Sequence, residues 1–496
     1  MLISSRRKVK IVCTLGPSSN TQEKIEKLIH AGLDTARLNF SHGTHDVHRG
    51  LFNSVREAAR ACGKHVGVLQ DLQGPKLRVG KLQVGGIVLK AGDEVLLFPE
   101  GTNPKSSTTG RIAIPISAEI AAPLSKDVHK GSRILFDDGK IWSEVKEVHA
   151  PEMVVTVSVG GKLTSNKGMN LPGTPLSLPC VTEKDLQDLK LGLELGVDSV
   201  ALSFVRNPKD ITFVRDQIRK TSNHHPLLVA KIEREEAVYQ PEGILEVTDG
   251  ILIARGDMAV ELGAEKVPIV QKMLIRMSNE LGVPVITATQ MLESMISSPT
   301  PTRAEASDVA NAVFDGTDAV MLSAESASGE YPVEAVETMA RIVREAESEG
   351  KYSVHANLIP MSGSIVESIE FSASRIATHV GASAIACLTH SGTAARTLAK
   401  YRPETPIVAI MDNEASLRKL SFVWGLDGVL IPELVATDDL FGMVSRVLVE
   451  NHRAEEEDLI VVTAGIPSLG RGTTNTIKVH QIKIKNEGKD TKRSVR

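Results

Sequence analysis

Residues 227–262 read LLVAKIEREEAVYQPEGILEVTDGILIARGDMAVEL, and this stretch decides the fold. It holds two short apolar runs, 227–230 and 250–253, each bounded by polar residues. Runs of that length suit parallel strands buried on both faces. Charged groups follow at once: Lys231 and Glu233 after the first run, Arg255 and Asp257 after the second. Two adjacent parallel strands would therefore bring an ammonium and two carboxylates together at their C-terminal ends. In α/β barrels and open α/β sheets, that edge binds ligands. Two hard oxygen donors with open positions suit Mg²⁺ or Mn²⁺ held partly by a substrate anion. Gly256 lets the backbone approach a ligand, and a helix beginning near Met258 would aim its N–H groups at an anion. The competing reading is a surface ion-pair cluster.

The rest of the chain separates the two. With 496 residues, it exceeds what one hydrophobic core usually serves, so about three domains are expected. It is 42% hydrophobic and 24% charged, with a net charge of −4, which provides no field for nucleic acid or an anionic membrane. Only 3% of residues are aromatic, so base-stacking platforms are not expected. Cys13, Cys62, Cys180 and Cys387 are scattered without a CxxC pair, as in a reducing compartment. The opening MLISSRRKVKIVCTLGP lacks an apolar run long enough for a signal peptide or membrane span, so a cytoplasmic protein is expected.

Taken in order, strands are expected at 8–14, Thr35–Asn39 and 65–69, alternating with helices at 21–31 and 45–62. This is βαβαβ at regular spacing. From about residue 79 to 167 the text becomes Gly-rich with short alternating runs and no long helical period, which predicts an inserted small β-barrel. The α/β rhythm resumes with helix Glu183–Leu195 and strand Ser199–Leu202. The two quoted strands follow, then helix 266–281, strand 285–287, helix 304–315 and strand Ala319–Leu322. Three strands precede the insertion and five follow it. Eight βα units predict a TIM (β/α)8 barrel with polar residues of interest at each strand's C-terminal end, a regularity that a surface ion-pair cluster does not explain. The chain turns hydrophilic around 345–354. A C-terminal α/β sheet domain follows, with helix 366–380, strand Ala384–Leu388, helix Thr393–Lys400 and strands at 406–410, 459–462 and 476–484. The expected domains are 1–74 with 168–345 (barrel), 75–167 (lid) and 346–486 (sheet domain), with a polar, disordered tail to 496.

RLNFSH carries Arg37, Asn39, Ser41 and His42, and DLQGPKLR carries Asp71, Lys76 and Arg78. Arg37 and Arg78 suit bidentate phosphate recognition. With Lys231, Glu233, Asp257, Thr289 and Ser323 they predict a pocket for a small anion, a phosphate and a divalent metal, the electrostatic machinery of phosphoryl transfer. CTLGPSS, ARLNFSHG, DLQGPKLR, NKGMNLPG, AKIE, ARGDMAVE, TATQMLESM, RAEASDVANAVFDGTDAVMLSAESASGEYP and GTTNTIKV, in this order along nearly the whole chain, resemble the pyruvate kinase family.

The resemblance implies phosphoryl transfer from phosphoenolpyruvate to ADP. It implies a β-barrel lid, an effector-binding C-terminal domain and a homotetramer. It implies metal ligation by Glu233 and Asp257, charge neutralisation by Lys231 and phosphate contact by Arg37. Gly256, Asp257 and Thr289 would grip the substrate carboxylate, and Thr289 and Ser323 would order the water that protonates the enolate. Pro17, Asn39, His42, Arg78 and Lys167 fall on the nucleotide side. The family's potassium site maps to Asn39, Ser41, Asp71 and the following residue, with a Glu at the place of Lys76. Here Leu72 lacks a hydroxyl, and Lys76 places an ammonium where the Glu would be, so activity without K⁺ is expected. Thr389, His390, Ser391, Gly392 and Thr393 join a strand to a helix as a nest for a phosphorylated effector, to which Arg396 and the 465–474 loop would add donors. Two alternatives stay open: a metal-dependent 2-keto-acid aldolase or lyase, which would not need RLNFSH, DLQGPKLR, the insertion or the last domain, and a non-catalytic metabolite sensor.

Overall fold

The computed structural model describes residues 7–106, 110–349, 358–360, 363–432, 440–466 and 474–483. Eight parallel strands close a barrel: Lys10–Thr14, Thr35–Asn39, Gly67–Asp71, Ser199–Leu202, Leu227–Ile232, Gly250–Ala254, Val285–Ala288 and Ala319–Leu322, the first paired with the last. All five residues of Gly250–Ala254 are buried, which is why it reads as an unbroken apolar run. Its inward face joins Val12, Leu69, Val229, Ile286 and Met321 in the barrel interior, while the outward face packs on the helices. Phe422, from the C-terminal domain, completes the interior at the strands' N-terminal ends, where Gly250 leaves it room. Thr21, Thr44, Thr182 and Thr302 cap barrel helices by accepting backbone N–H groups, each contributing about 1 kcal/mol.

Two boundaries differ from expectation in ways that matter. The third strand is Gly67–Asp71, two residues later than expected. Gln70 and Asp71 are polar, yet both lie inside the strand. They are buried within it because Gln70 donates to the Asp188 carbonyl at 2.7 Å and Asp71 is paired by Arg37 and Lys231. The helix after the sixth strand is Arg255–Leu262, so it starts at Arg255 rather than near Met258, and Asp257 lies in its first turn.

Between the third and fourth barrel strands, six strands form a sheet in which Met169–Asn170 is one edge and Ile112–Ile116 the other. Arg78 bridges Gly168 and Val79 bridges Ile116, so residues 78–79 join the two edges and the sheet curls into a small barrel. It also contains a helix, Ala118–Asp127, where no long helical period was expected. Pro123 inside it breaks the sequence pattern.

The C-terminal sheet orders Leu426–Leu430, Ile407–Met411, Ala384–Leu388, Leu459–Ala464 and Thr476–Gln481, the last antiparallel. Strand Leu426–Leu430 and helices Pro332–Ser348 and Leu440–Glu450 were not anticipated. The polar tail and part of the hydrophilic 345–354 stretch lie outside the described residues, whereas 345–348 end a helix. Arg402 fastens this domain to the barrel, 2.9 Å from Asp318 with both side chains 5% exposed.

Candidate active site

Lys231 is the penultimate residue of its strand, so its side chain emerges at the C-terminal rim. Its Nζ lies 3.3 Å from Asp71 Oδ1 and 2.9 Å from Glu233 Oε1, and donates to Ser203 Oγ at 2.7 Å. Burial opposes the ammonium, but Asp71 and then Glu233 outweigh it and push the pKa above the usual lysine value. Burial likewise opposes the Asp71 carboxylate, but Lys231 and Arg37 hold its pKa below the usual range. Arg37 donates from Nε to Asp71 Oδ2 at 2.7 Å and from Nη1 to Thr14 Oγ1 at 2.8 Å, so its guanidinium is fixed before any ligand arrives.

Glu233 Oε2 accepts the Phe204 N–H at 3.0 Å. Its Oε1 has Lys231 as ion-pair partner but receives no hydrogen bond. Burial and then the neighbouring Glu233 carboxylate push the Asp257 pKa up to about 6. Among the described residues, no group of three or more His, Cys, Asp or Glu is placed to hold a metal alone. Glu233, whose Oε1 receives no hydrogen bond, and Asp257 beside it are hard oxygen donors of the kind that suit a divalent cation.

Thr289 and Gln290 both have positive φ, +68° and +54°, at the end of the seventh strand. A β-branched residue there is strained, and Arg255 stabilises the turn by donating to the Thr289 carbonyl at 2.6 Å. The Gly256 N–H, expected to face substrate, donates to Thr289 Oγ1 at 2.8 Å, so these two expected ligands meet each other here. Ser323 follows the neighbouring eighth strand, its N–H donating to Glu325 Oε2 at 2.7 Å. Pro17 opens a short 3₁₀ turn after the first strand.

His42 is lowered by burial and then by Lys76, Arg78 and Arg37, which places four basic groups around one part of the rim. Lys76 reaches solvent in a cleft lined also by Asp138, Phe204, Arg234 and Asp257, yet enough protein surrounds it that burial, then Arg78, lowers its pKa. Arg78 Nη1 donates to the Asn166 carbonyl at 3.1 Å, and Lys167 pairs with Asp137 at 2.7 Å, so both belong to the curled sheet's base. Asn39 Oδ1 accepts the Ser41 N–H at 3.1 Å.

In the C-terminal domain, Gly392 has φ +82° and donates its N–H to Thr389 Oγ1 at 3.1 Å. The Thr393 N–H donates to Ser391 Oγ at 3.4 Å. His390 Nδ1 lies 2.7 Å from Asp412 Oδ1. Among the described residues, Arg396 does not join this loop's polar contacts. It is largely enclosed, and the acid acting on it is Asp249 of the barrel. Of the loop 465–474, residues 467–473 lie outside the described residues. Sequence reading missed Thr14, Ser203 and Phe204 as supports of the site. Their only signal was position, at or just past a strand end.

The fold and rim define a (β/α)8 enzyme whose site joins Lys231 and Arg37 to the buried carboxylates of Asp71 and Glu233. Residues 6–336 match the model of the pyruvate kinase barrel domain, and residues 367–480 that of the pyruvate kinase alpha/beta domain. The pyruvate kinase of Staphylococcus haemolyticus (strain JCSC1435) is 44% identical over 485 residues, 96% of this chain and 80% of the relative. That of Staphylococcus aureus (strain MRSA252) is 45% identical over the same shares. The crystal structure of a pyruvate kinase from Cryptosporidium parvum superposes with a TM-score of 0.89 at 35% identity, covering 97% of each chain. The chain belongs to the pyruvate kinase family.

Proposed function

We propose that the protein transfers the phosphoryl group of phosphoenolpyruvate to ADP, yielding ATP and, after protonation of the enolate, pyruvate. The observation that carries this reading is the Lys231 ammonium shared by Asp71 and Glu233 at the barrel rim, beside a fixed Arg37. An ADP oxygen attacks phosphorus as the bond to the enol oxygen breaks. Lys231 and Arg37 balance the negative charge on the moving group. Asp257, Gly256 and Thr289 seat the substrate carboxylate, the Gly256–Thr289 hydrogen bond giving way when it binds. Thr289 and Ser323 order the water that protonates the enolate carbon. Pro17, Asn39, His42, Arg78 and Lys167 line the nucleotide side. Glu233 and Asp257 would hold Mg²⁺ or Mn²⁺, which would supply Lewis-acid neutralisation of the charge that develops.

In the same reading the domains are 1–74 with 168–345, 75–167 and 346–486, the protein is a cytoplasmic homotetramer, and the Thr389–Thr393 loop takes a phosphorylated effector. Lys76 supplies the positive charge of the potassium site formed elsewhere by Asn39, Ser41 and Asp71, so turnover does not need K⁺. A coupled assay for ATP formed from phosphoenolpyruvate and ADP tests the reaction, and absence of ATP with metal present would refute it. Turnover in K⁺-free tetramethylammonium buffer should match that with added KCl; strong activation by K⁺ would refute the role of Lys76. Chelating the divalent metal should abolish turnover and re-addition restore it.

A further inference from the structure

Ser203 and Phe204, just past the fourth strand, touch both halves of the charge cluster. Ser203 Oγ accepts from Lys231 Nζ at 2.7 Å and donates to the Leu72 carbonyl at 2.7 Å. The next residue, Phe204, has φ +56°, a left-handed conformation that aims its N–H at Glu233 Oε2, 3.0 Å away. The turn is pinned from behind, since Cys180 Sγ donates to the Ser203 carbonyl at 3.1 Å. Gly74, at φ +68° on the way into the curled sheet, leaves no spare room above it: a Cβ there would lie 2.7 Å from Phe204 Cδ2 and 3.1 Å from Ser203 Cβ.

We infer that Ser203 is a positioning residue that aims the Lys231 ammonium for phosphoryl transfer, within a Ser203–Phe204 bracket that fixes Lys231 relative to Glu233 and seats on Gly74. Lys231 needs such a guide. Of its two carboxylate partners, Asp71 ends the third strand and Glu233 follows the fifth, and the Glu233 oxygen nearest it receives no hydrogen bond. The hydroxyl, itself anchored to Leu72, supplies the third point that sets where the ammonium stands. Because Gly74 opens the segment leading to the lid, movement of that segment reaches the bracket through the Phe204 ring.

This inference rests on the phosphoryl-transfer reading. The wild-type assay tests that reading separately, because no ATP from wild type refutes the function and leaves nothing for Ser203 to position. Ser203→Ala removes one oxygen and leaves the Phe204 N–H in place. Its kcat should fall roughly tenfold or more, with KM for phosphoenolpyruvate and Mn²⁺ affinity within about twofold of wild type. The metal-dependent exchange of pyruvate C3 hydrogens with D₂O, which runs the enolate protonation backwards without moving a phosphoryl group, should persist. A kcat loss smaller than that, or an equal loss of exchange and turnover, overturns the role. Gly74→Ala should lower kcat while the melting temperature stays within a few degrees; unchanged kcat in a folded Gly74→Ala protein overturns the seating on the lid segment.

Discussion

Lys231 stays charged because two acids hold it, and in the proposed reaction that charge balances the moving phosphoryl group. Replacing it with Met should reduce kcat by about 10²–10³-fold, as loss of a cation at a developing anion does. The chain should still fold, since Asp71 keeps Arg37 and Glu233 keeps the Phe204 N–H; circular dichroism with steady-state kinetics checks both halves. A second acid behaves differently. Glu370 is fully buried in the C-terminal domain, where burial pushes it up to about 8 despite the lowering effect of Thr463 and Cys387. Its folded pKa lies above its unfolded value near 4.3, so the folded state binds more protons across that window. Stability associated with Glu370 is thus full at low pH and is lost as pH rises through about 8. Glu370→Gln should flatten this part of the melting-temperature profile between pH 5 and 9, and an unchanged slope would assign the effect elsewhere. Lys231, Glu233 and Asp257 were legible in the sequence because each lies within four residues of the end of an apolar run. Asp71 as partner of Lys231 was not, since pairing across a barrel leaves no spacing signal.

Elements were legible where periodicity was long and caps were explicit. Helix Arg303–Asp315 starts from a capping box in which Thr302 Oγ1 accepts the Glu305 N–H and the Glu305 carboxylate accepts the Thr302 N–H. Thr302→Ala should cost about 1 kcal/mol in urea unfolding, with kcat unchanged. Elements were missed where burial rests on partners rather than pattern. Gln70 and Asp71 end a buried strand because distant groups hold them, the Asp188 carbonyl accepting from Gln70 Nε2 and Arg37 and Lys231 pairing with Asp71, and Ala118–Asp127 remains helical despite Pro123. The strained Thr289–Gln290 turn is equally invisible in the sequence. Arg255, reaching across from the sixth strand's end, holds it.

Counting strands gave the barrel, the insertion and the last domain, but no residue pattern showed how the domains join. The junction depends on Arg402 with Asp318 and on Phe422 inside the barrel floor. Arg402→Ala leaves a buried carboxylate short of its charge partner, so a loss of about 3–5 kcal/mol is expected, with calorimetry resolving separate barrel and C-terminal transitions. Retention of a single wild-type transition would count against this coupling. The pairing of strand Lys10–Thr14 with Ala319–Leu322 has a further consequence on the ribosome. A nascent chain carries its first stave with one naked edge until the eighth is translated, on the order of 15–60 s at ~5–20 residues per second. An exposed edge invites pairing with other chains, so the newborn polypeptide needs shielding for that whole interval.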